Sequence, residues 1–111
     1  MSNYTLVIHG GAGTISKSNI TTEQESAYTD ALEKALEAGF SLLKNNGTAL
    51  DAIRAAVVSM EDCVLFNAGK GSVFGKDGSQ EMDASIMDGR TLMAGSVAAV
   101  RNIRNPVELA Y

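Results

Sequence analysis

Residues 81–100, EMDASIMDGRTLMAGSVAAV, decide the fold class. From Glu81 to Met87 apolar and polar side chains roughly alternate, which predicts a strand. Asp88-Gly89 is a hairpin signal, and the run from Leu92 to Val100 is again strand-like and rich in small residues. Upstream the period changes. Tyr28, Ala31, Leu32, Ala35, Leu36, Gly39, Leu42 and Leu43 recur at helical spacing, with Glu33, Lys34, Glu37 and Lys44 on the outer face. Thr22 and Glu25 have the spacing of a capping box at its start, and Asn45-Asn46-Gly47 stops it. Thr48 can cap a second helix at once, with Asp51 in its first turn and Leu50, Ile53, Val57 and Met60 along it. Tyr4 to Ile8 predicts a buried strand running into the turn His9-Gly10-Gly11-Ala12-Gly13. Asn105-Pro106 opens a last helical segment, since proline suits the first helical position. The expected fold is α+β, in the order β-α-α-loop-β-β-α.

A chain of 111 residues allows one domain, and 45% hydrophobic with 20% charged residues argues against disorder. Nine basic and thirteen acidic residues, net charge −4, disfavour a nucleic-acid surface. One cysteine forbids an intrachain disulfide. The N-terminus lacks the basic region of a secretory signal, and no stretch approaches the roughly 20 apolar residues of a membrane span. A cytoplasmic protein without membrane contact is expected. Two helices can cover one face of the sheet, while Ala84, Ile86, Ala94, Val97 and Ala99 are unsuited to a bare face. The expectation is that a C-terminal continuation, another chain or another copy completes the fold.

Three constellations could carry chemistry. In the loop from His9 to Gly13, glycines can let backbone N–H groups converge on an anion or oxyanion; a purely structural turn is the alternative. It is neither a Walker A loop nor a dinucleotide fingerprint. His9, the only histidine, reads more readily as a hydrogen-bonded core residue than as a base. The second cluster, Phe66-Asn67-Ala68-Gly69-Lys70-Gly71, could aim Asn67 or coordinate an ion through carbonyls. Lys70 reads as solvated and Cys63 as buried and inert, with no basic partner nearby. Third, Glu81, Asp83 and Asp88 could do acid–base or metal work, but they read mainly as structural or solvated, with Asp88 serving the turn.

Three blocks together resemble the plant-type asparaginase/isoaspartyl peptidase family: 9–13, HGGAG; 65–74, LFNAGKGSVF; and 82–89, MDASIMDG. Residues 91–98, TLMAGSVA, and 104–107, RNPV, extend the resemblance in family order across nearly the whole chain. It implies an N-terminal nucleophile hydrolase with an αββα sandwich, residues 1–111 being the N-terminal segment of its single domain. Such enzymes are made as precursors that cleave themselves before a threonine, giving α and β subunits. The freed threonine hydroxyl attacks L-asparagine or a β-aspartyl dipeptide, with its own α-amine as base.

The resemblance further implies that no residue of this chain is the nucleophile. Thr14 leads into a polar loop, Thr48 caps a helix, and Thr91 follows Arg90 rather than glycine. The nucleophile and the substrate-gripping residues are expected beyond Tyr111, so the chain alone is expected to be inactive. By position, Asn67 with Gly10, Gly11, Ala12 and Gly13 resembles the active-site support. Met60, Glu61, Cys63, Phe66, Ala68 and Lys70 resemble the positions whose main-chain carbonyls hold a structural sodium or potassium ion. The family also implies a dimer of αβ units. A non-catalytic module that binds an anion at the glycine loop or docks a partner chain is the competing expectation.

Overall fold

The computed structural model describes residues 3–13 and 15–111. Helix α1 spans Thr22–Lys44 and α2 spans Ala49–Glu61; strands β1, Met82–Met87, and β2, Ala94–Val100, follow, and then the short helix α3, Pro106–Ala110. The fold is α+β. The cap of α1 sits one residue earlier than the sequence suggested. Thr21 accepts from the Gln24 amide while the Gln24 side chain accepts from the Thr21 amide, so Gln24 replaces Glu25 in the capping box. Thr48 caps α2 as expected, accepting from the Asp51 amide at 3.1 Å. Between the helices Asn46 takes a positive φ of 62°, and the Gly47 N–H donates back to the Leu42 carbonyl at 2.7 Å.

Small residues let α1 and α2 approach closely. Ala35, Ala52 and Ala56 are buried, and a Cβ on Gly39 would stand 2.6 Å from the Ala52 carbonyl oxygen. Leu6 lies at the same crossing and Tyr4 meets the Phe40 ring edge-on, so the N-terminal segment lies against α1. The expected strand over Tyr4–Ile8 does not form. Among the described residues the sheet has two strands, and an isolated segment without a neighbour to complete its ladder is no strand.

The hairpin is antiparallel, pairing Met87 with Ala94 and Ile86 with Gly95. The Asp88-Gly89 pair does not close it as a two-residue turn. Asp88 N–H bonds Met93 O across a longer loop, and Leu92 rather than Gly89 takes the left-handed φ, 60°. An extra residue in β2 shifts the register between Met82 and Ala84. Ala99 there adopts φ 53°, and its amide donates to the Asp83 carboxylate at 2.7 Å.

Helices α2 and α3 cover one face of the hairpin. Ile86, Val107 and Ala110 form its core with Leu50, Ile53, Val58, Ala84 and Val97 packed around them. Ala84, Ile86 and Val97 therefore face the helices, whereas Ala94 and Ala99 are exposed, correcting the expectation of one shared uncovered face. The molecule measures 43 × 33 × 18 Å, its thin dimension matching about two packed layers. Its radius of gyration, 15.2 Å, exceeds the ~13 Å of a compact chain near this size.

Candidate functional site

The fold brings the two glycine clusters together. Gly10 lies against Leu32 of α1 and the Phe66 ring, which itself meets Tyr28 edge-on at 6.3 Å. Residues 9–13 line a cleft of about 730 Å³ with Tyr28, Met60, Leu65, Phe66, Asn67 and Ala68. Sequence reasoning placed Tyr28 only in the apolar stripe of α1; that it also lines the site depends on where Phe66 folds back. A second cleft of about 710 Å³ is lined by Lys70, Arg101 and Arg104 among others. Both of its arginines are engaged, Arg104 with Asp62 and Arg101 with Glu81 and Asp77.

The loop carrying Asn67 is folded tightly onto the end of α2. Ala68 N–H bonds Phe66 O at 2.8 Å, Gly71 N–H bonds Ala68 O at 3.0 Å, and the buried Ser72 donates twice to Gly69 O. Gly69 has φ 51° and packs on the Glu61 backbone, leaving no room for a Cβ; Gly71 is confined in the same way by the carbonyls of Val64 and Phe66. The Asn67 Oδ1 accepts the Val73 N–H at 3.0 Å and so ties off the loop. Removing this acceptor in Asn67→Ala should cost about 1 kcal/mol and accelerate hydrogen exchange at the Val73 amide. Asn67→Asp, which keeps the acceptor, should leave that amide protected; equal exchange in both variants would contradict the role.

Glu61 anchors the loop from beneath. Its side chain is 3% exposed; Oε1 accepts the Val107 N–H of α3 at 3.0 Å, and Oε2 has no hydrogen-bond partner among the described residues. Burial pushes its carboxyl above the ordinary range, against the lowering effect of the Val107 N–H and the neighbouring Asn105 side chain. Asp62 next to it behaves oppositely, held low by hydrogen bonds from Arg104 and Asn105. These pairings join residues 42 and 43 positions apart, which no local pattern signals. A carboxyl whose folded pKa is raised costs nothing below its unfolded pKa and costs stability as pH rises through the folded value. Glu61→Gln keeps an oxygen for Val107 and removes the charge that burial disfavours, so it should stabilise the fold at neutral pH relative to acidic pH. The gain should fade as pH falls through the ordinary carboxylate range, so thermal melts at neutral and acidic pH check it; a difference independent of pH would refute it.

The positions expected to hold a monovalent cation lie on this same loop. Among the described residues no three His, Cys, Asp or Glu side chains converge on a metal site. The carbonyls of Met60, Phe66 and Ala68 each accept a backbone N–H, which leaves a second lone pair on each. The Glu61 carbonyl oxygen packs against Gly69, whose lack of a Cβ permits the close approach. Carbonyl oxygens are the donor type that suits a hard cation.

The remaining sequence candidates take structural places. Glu81 pairs with Arg101, Asp83 holds the β2 irregularity, and Asp88 caps its own loop by accepting from the Arg90 amide and the Thr91 hydroxyl. Those two bonds hold the Asp88 carboxyl below its ordinary range. Thr48 and Thr91 are thus committed to caps and turns; Thr14 lies outside the described residues. Cys63 is free and half-buried rather than buried. His9 is exposed and lines the cleft, which corrects the core placement expected for it.

The asparaginase family model matches residues 2–111. The isoaspartyl peptidase of Escherichia coli (strain K12) is 47% identical over 107 residues, covering 96% of this chain and 33% of that protein. The isoaspartyl peptidase/L-asparaginase of Rattus norvegicus is 48% identical over 105 residues, covering 95% of this chain and 30% of the relative. That of Danio rerio is 48% identical over 105 residues, with 95% and 32% covered. The chain spans about a third of the length of the relatives it matches. A match that runs through both loops of the cleft and the hairpin beyond them means that this chain belongs to the asparaginase family.

Proposed function

We propose that this chain is the N-terminal part of a plant-type asparaginase/isoaspartyl peptidase. One observation carries the proposal: the two glycine loops, far apart in sequence, line a single cleft, with Asn67 of the second loop in its lining. Relatives named isoaspartyl peptidase and L-asparaginase align through both loops. Residues 1–111 form the N-terminal segment of one N-terminal nucleophile hydrolase domain, with α1 and α2 in an outer layer of an αββα sandwich. A C-terminal continuation or β subunit supplies the rest, and the whole enzyme is a cytoplasmic dimer of αβ units.

The reaction divides between the two parts. The precursor cleaves itself before a threonine that lies downstream of Tyr111, freeing its α-amine. The threonine hydroxyl attacks the side-chain amide of L-asparagine, or the isopeptide carbonyl of a β-aspartyl dipeptide, and passes its proton to that amine. Collapse of the tetrahedral intermediate expels ammonia or the amino acid, and water then releases aspartate. This chain contributes backbone donors beside the oxyanion, from Gly10, Ala12 and Gly13, with Gly11 in the same loop as support together with Asn67. Carbonyls of Met60, Glu61, Cys63, Phe66, Ala68 and Lys70 would hold a sodium or potassium ion, which when bound would supply positive charge to the loop that carries Asn67.

Ammonia release from L-asparagine and aspartate release from a β-aspartyl dipeptide test the proposal. Turnover is expected from the protein that includes the downstream threonine, and none from residues 1–111 alone. Turnover by residues 1–111 alone would overturn the division of labour. Thermal stabilisation by phosphate but not by sodium, potassium or aspartate would instead favour an anion-binding module.

A further inference from the structure

Gly11 and Gly13 look alike in sequence but not in structure. Neither would crowd a neighbour if it carried a Cβ, yet Gly11 alone has a positive φ, 116°. Space does not require glycine at position 11; backbone conformation does. The contact that accompanies this conformation is the Gly11 N–H donating to Nδ1 of His9 at 3.1 Å. An Nδ1 that accepts is unprotonated, so the ring proton resides on Nε2. The amides of Gly10, Ala12 and Gly13 make no hydrogen bond to another described residue, and all three residues line the cleft.

We propose that neutral His9 is the positioning residue of the glycine loop: its Nδ1 holds the Gly11 amide and thereby sets how the other loop amides face an acceptor atom of the substrate. Protonation of the imidazole replaces the acceptor with a donor, breaks the bond to Gly11 and releases the loop. His9 is one ionisable side chain among the described groups facing the cleft. Tyr28 from α1 is the other titratable side chain there; Leu32 of α1, Met60 of α2, and Leu65, Phe66 and Asn67 of the second loop carry no charge. The inference rests on the asparaginase reading for its substrate but not for its geometry.

The test therefore has two independent arms, both on the intact protein. With ¹⁵N-labelled histidine, the ring signals absent from His9→Asn should show a bare Nδ1 and a protonated Nε2 at neutral pH. On acidification the Gly11 amide signal should shift together with the ring. A protonated Nδ1 at neutral pH, or a Gly11 amide indifferent to ring titration, overturns the proposal. In the second arm, Asn places its side-chain oxygen near the position of Nδ1, whereas Gln reaches instead toward that of Nε2. His9→Asn should keep kcat on L-asparagine within about threefold, while His9→Gln and His9→Ala lose about tenfold, a magnitude suited to misdirected backbone donors. Equal losses in the Asn and Gln variants would overturn it. If the parent protein turns over neither L-asparagine nor a β-aspartyl dipeptide, the asparaginase reading fails while the tautomer measurement still decides the role of His9.

Discussion

Replacing Gly95 with alanine should destabilise the fold by about 3 kcal/mol, near the upper end of typical overpacking penalties. Gly95 sits in β2 opposite Ile86, directly under the last turn of α3. A Cβ there would fall inside the Ala110 carbonyl oxygen, 3.1 Å from its carbon and 3.8 Å from its Cα. All three atoms are backbone, so no rotamer change can relieve the clash and α3 must lift. That movement opens the core formed by Ile86, Val107 and Ala110. It also strains the Glu61 to Val107 bond and with it the base of the Asn67 loop. The lower unfolded-state entropy of alanine offsets only about 0.4–1 kcal/mol. At about 4–8 °C per kcal/mol for a domain approaching this size, the melting temperature should fall by more than about 10 °C. Gly89→Ala is the matched control, since a Cβ at Gly89 meets nothing within 4 Å; it should stay within about 0.5 kcal/mol. An unchanged melt for Gly95→Ala would mean that α3 does not rest on β2.

The helices were legible because their signals are local. The spacing from Tyr28 to Leu43 and the cap at Thr48 need only neighbours within a turn or two. Even there Gln24 took the reciprocal role expected of Glu25, since Thr21 and Thr22 are both competent caps and only the entry of the chain chooses between them. Tyr4–Ile8 has strand composition without a strand's partner among the described residues, and composition cannot supply one. Asp88-Gly89 departs from a two-residue turn for a different reason. Asp88 spends its carboxylate on Arg90 and Thr91, which draws the turn out and moves the left-handed residue to Leu92. The two glycine loops were visible as site-building sequence, but their meeting was not, because it depends on Phe66 reaching Tyr28 and Gly10 across the molecule. Nothing local marks Glu61 for burial; the burial of its side chain follows from α3, which lies more than forty residues further on.

Gly69→Ala should have the second-largest effect, and here the penalty can be separated into parts. Gly69 combines a left-handed φ of 51° with contact against the Glu61 backbone, its would-be Cβ lying 2.7 Å from Glu61 Cβ and 2.8 Å from Glu61 Cα. Gly78 shares the backbone feature alone, with φ 77° and nothing within 4 Å. Gly71 shares the crowding alone, 2.8 Å from the Val64 carbonyl oxygen, without a positive φ. Gly78→Ala should therefore cost the conformational penalty of about 1–2 kcal/mol. Gly69→Ala adds the displacement of a loop that cannot yield by side-chain rotation, bringing its total to about 3 kcal/mol. The shift of Gly69 also carries the two bonds to its carbonyl from Ser72 and, through the turn, the Asn67 grip on Val73. Hydrogen exchange at the Val73 amide should accordingly rise in Gly69→Ala and stay unchanged in Gly78→Ala, which lies in a separate turn closed by Gly75 and Ser79. If Gly69→Ala proved no more damaging than Gly78→Ala by melting and by exchange at Val73, the loop would not be clamped to α2, and Asn67 would have no fixed place in the cleft.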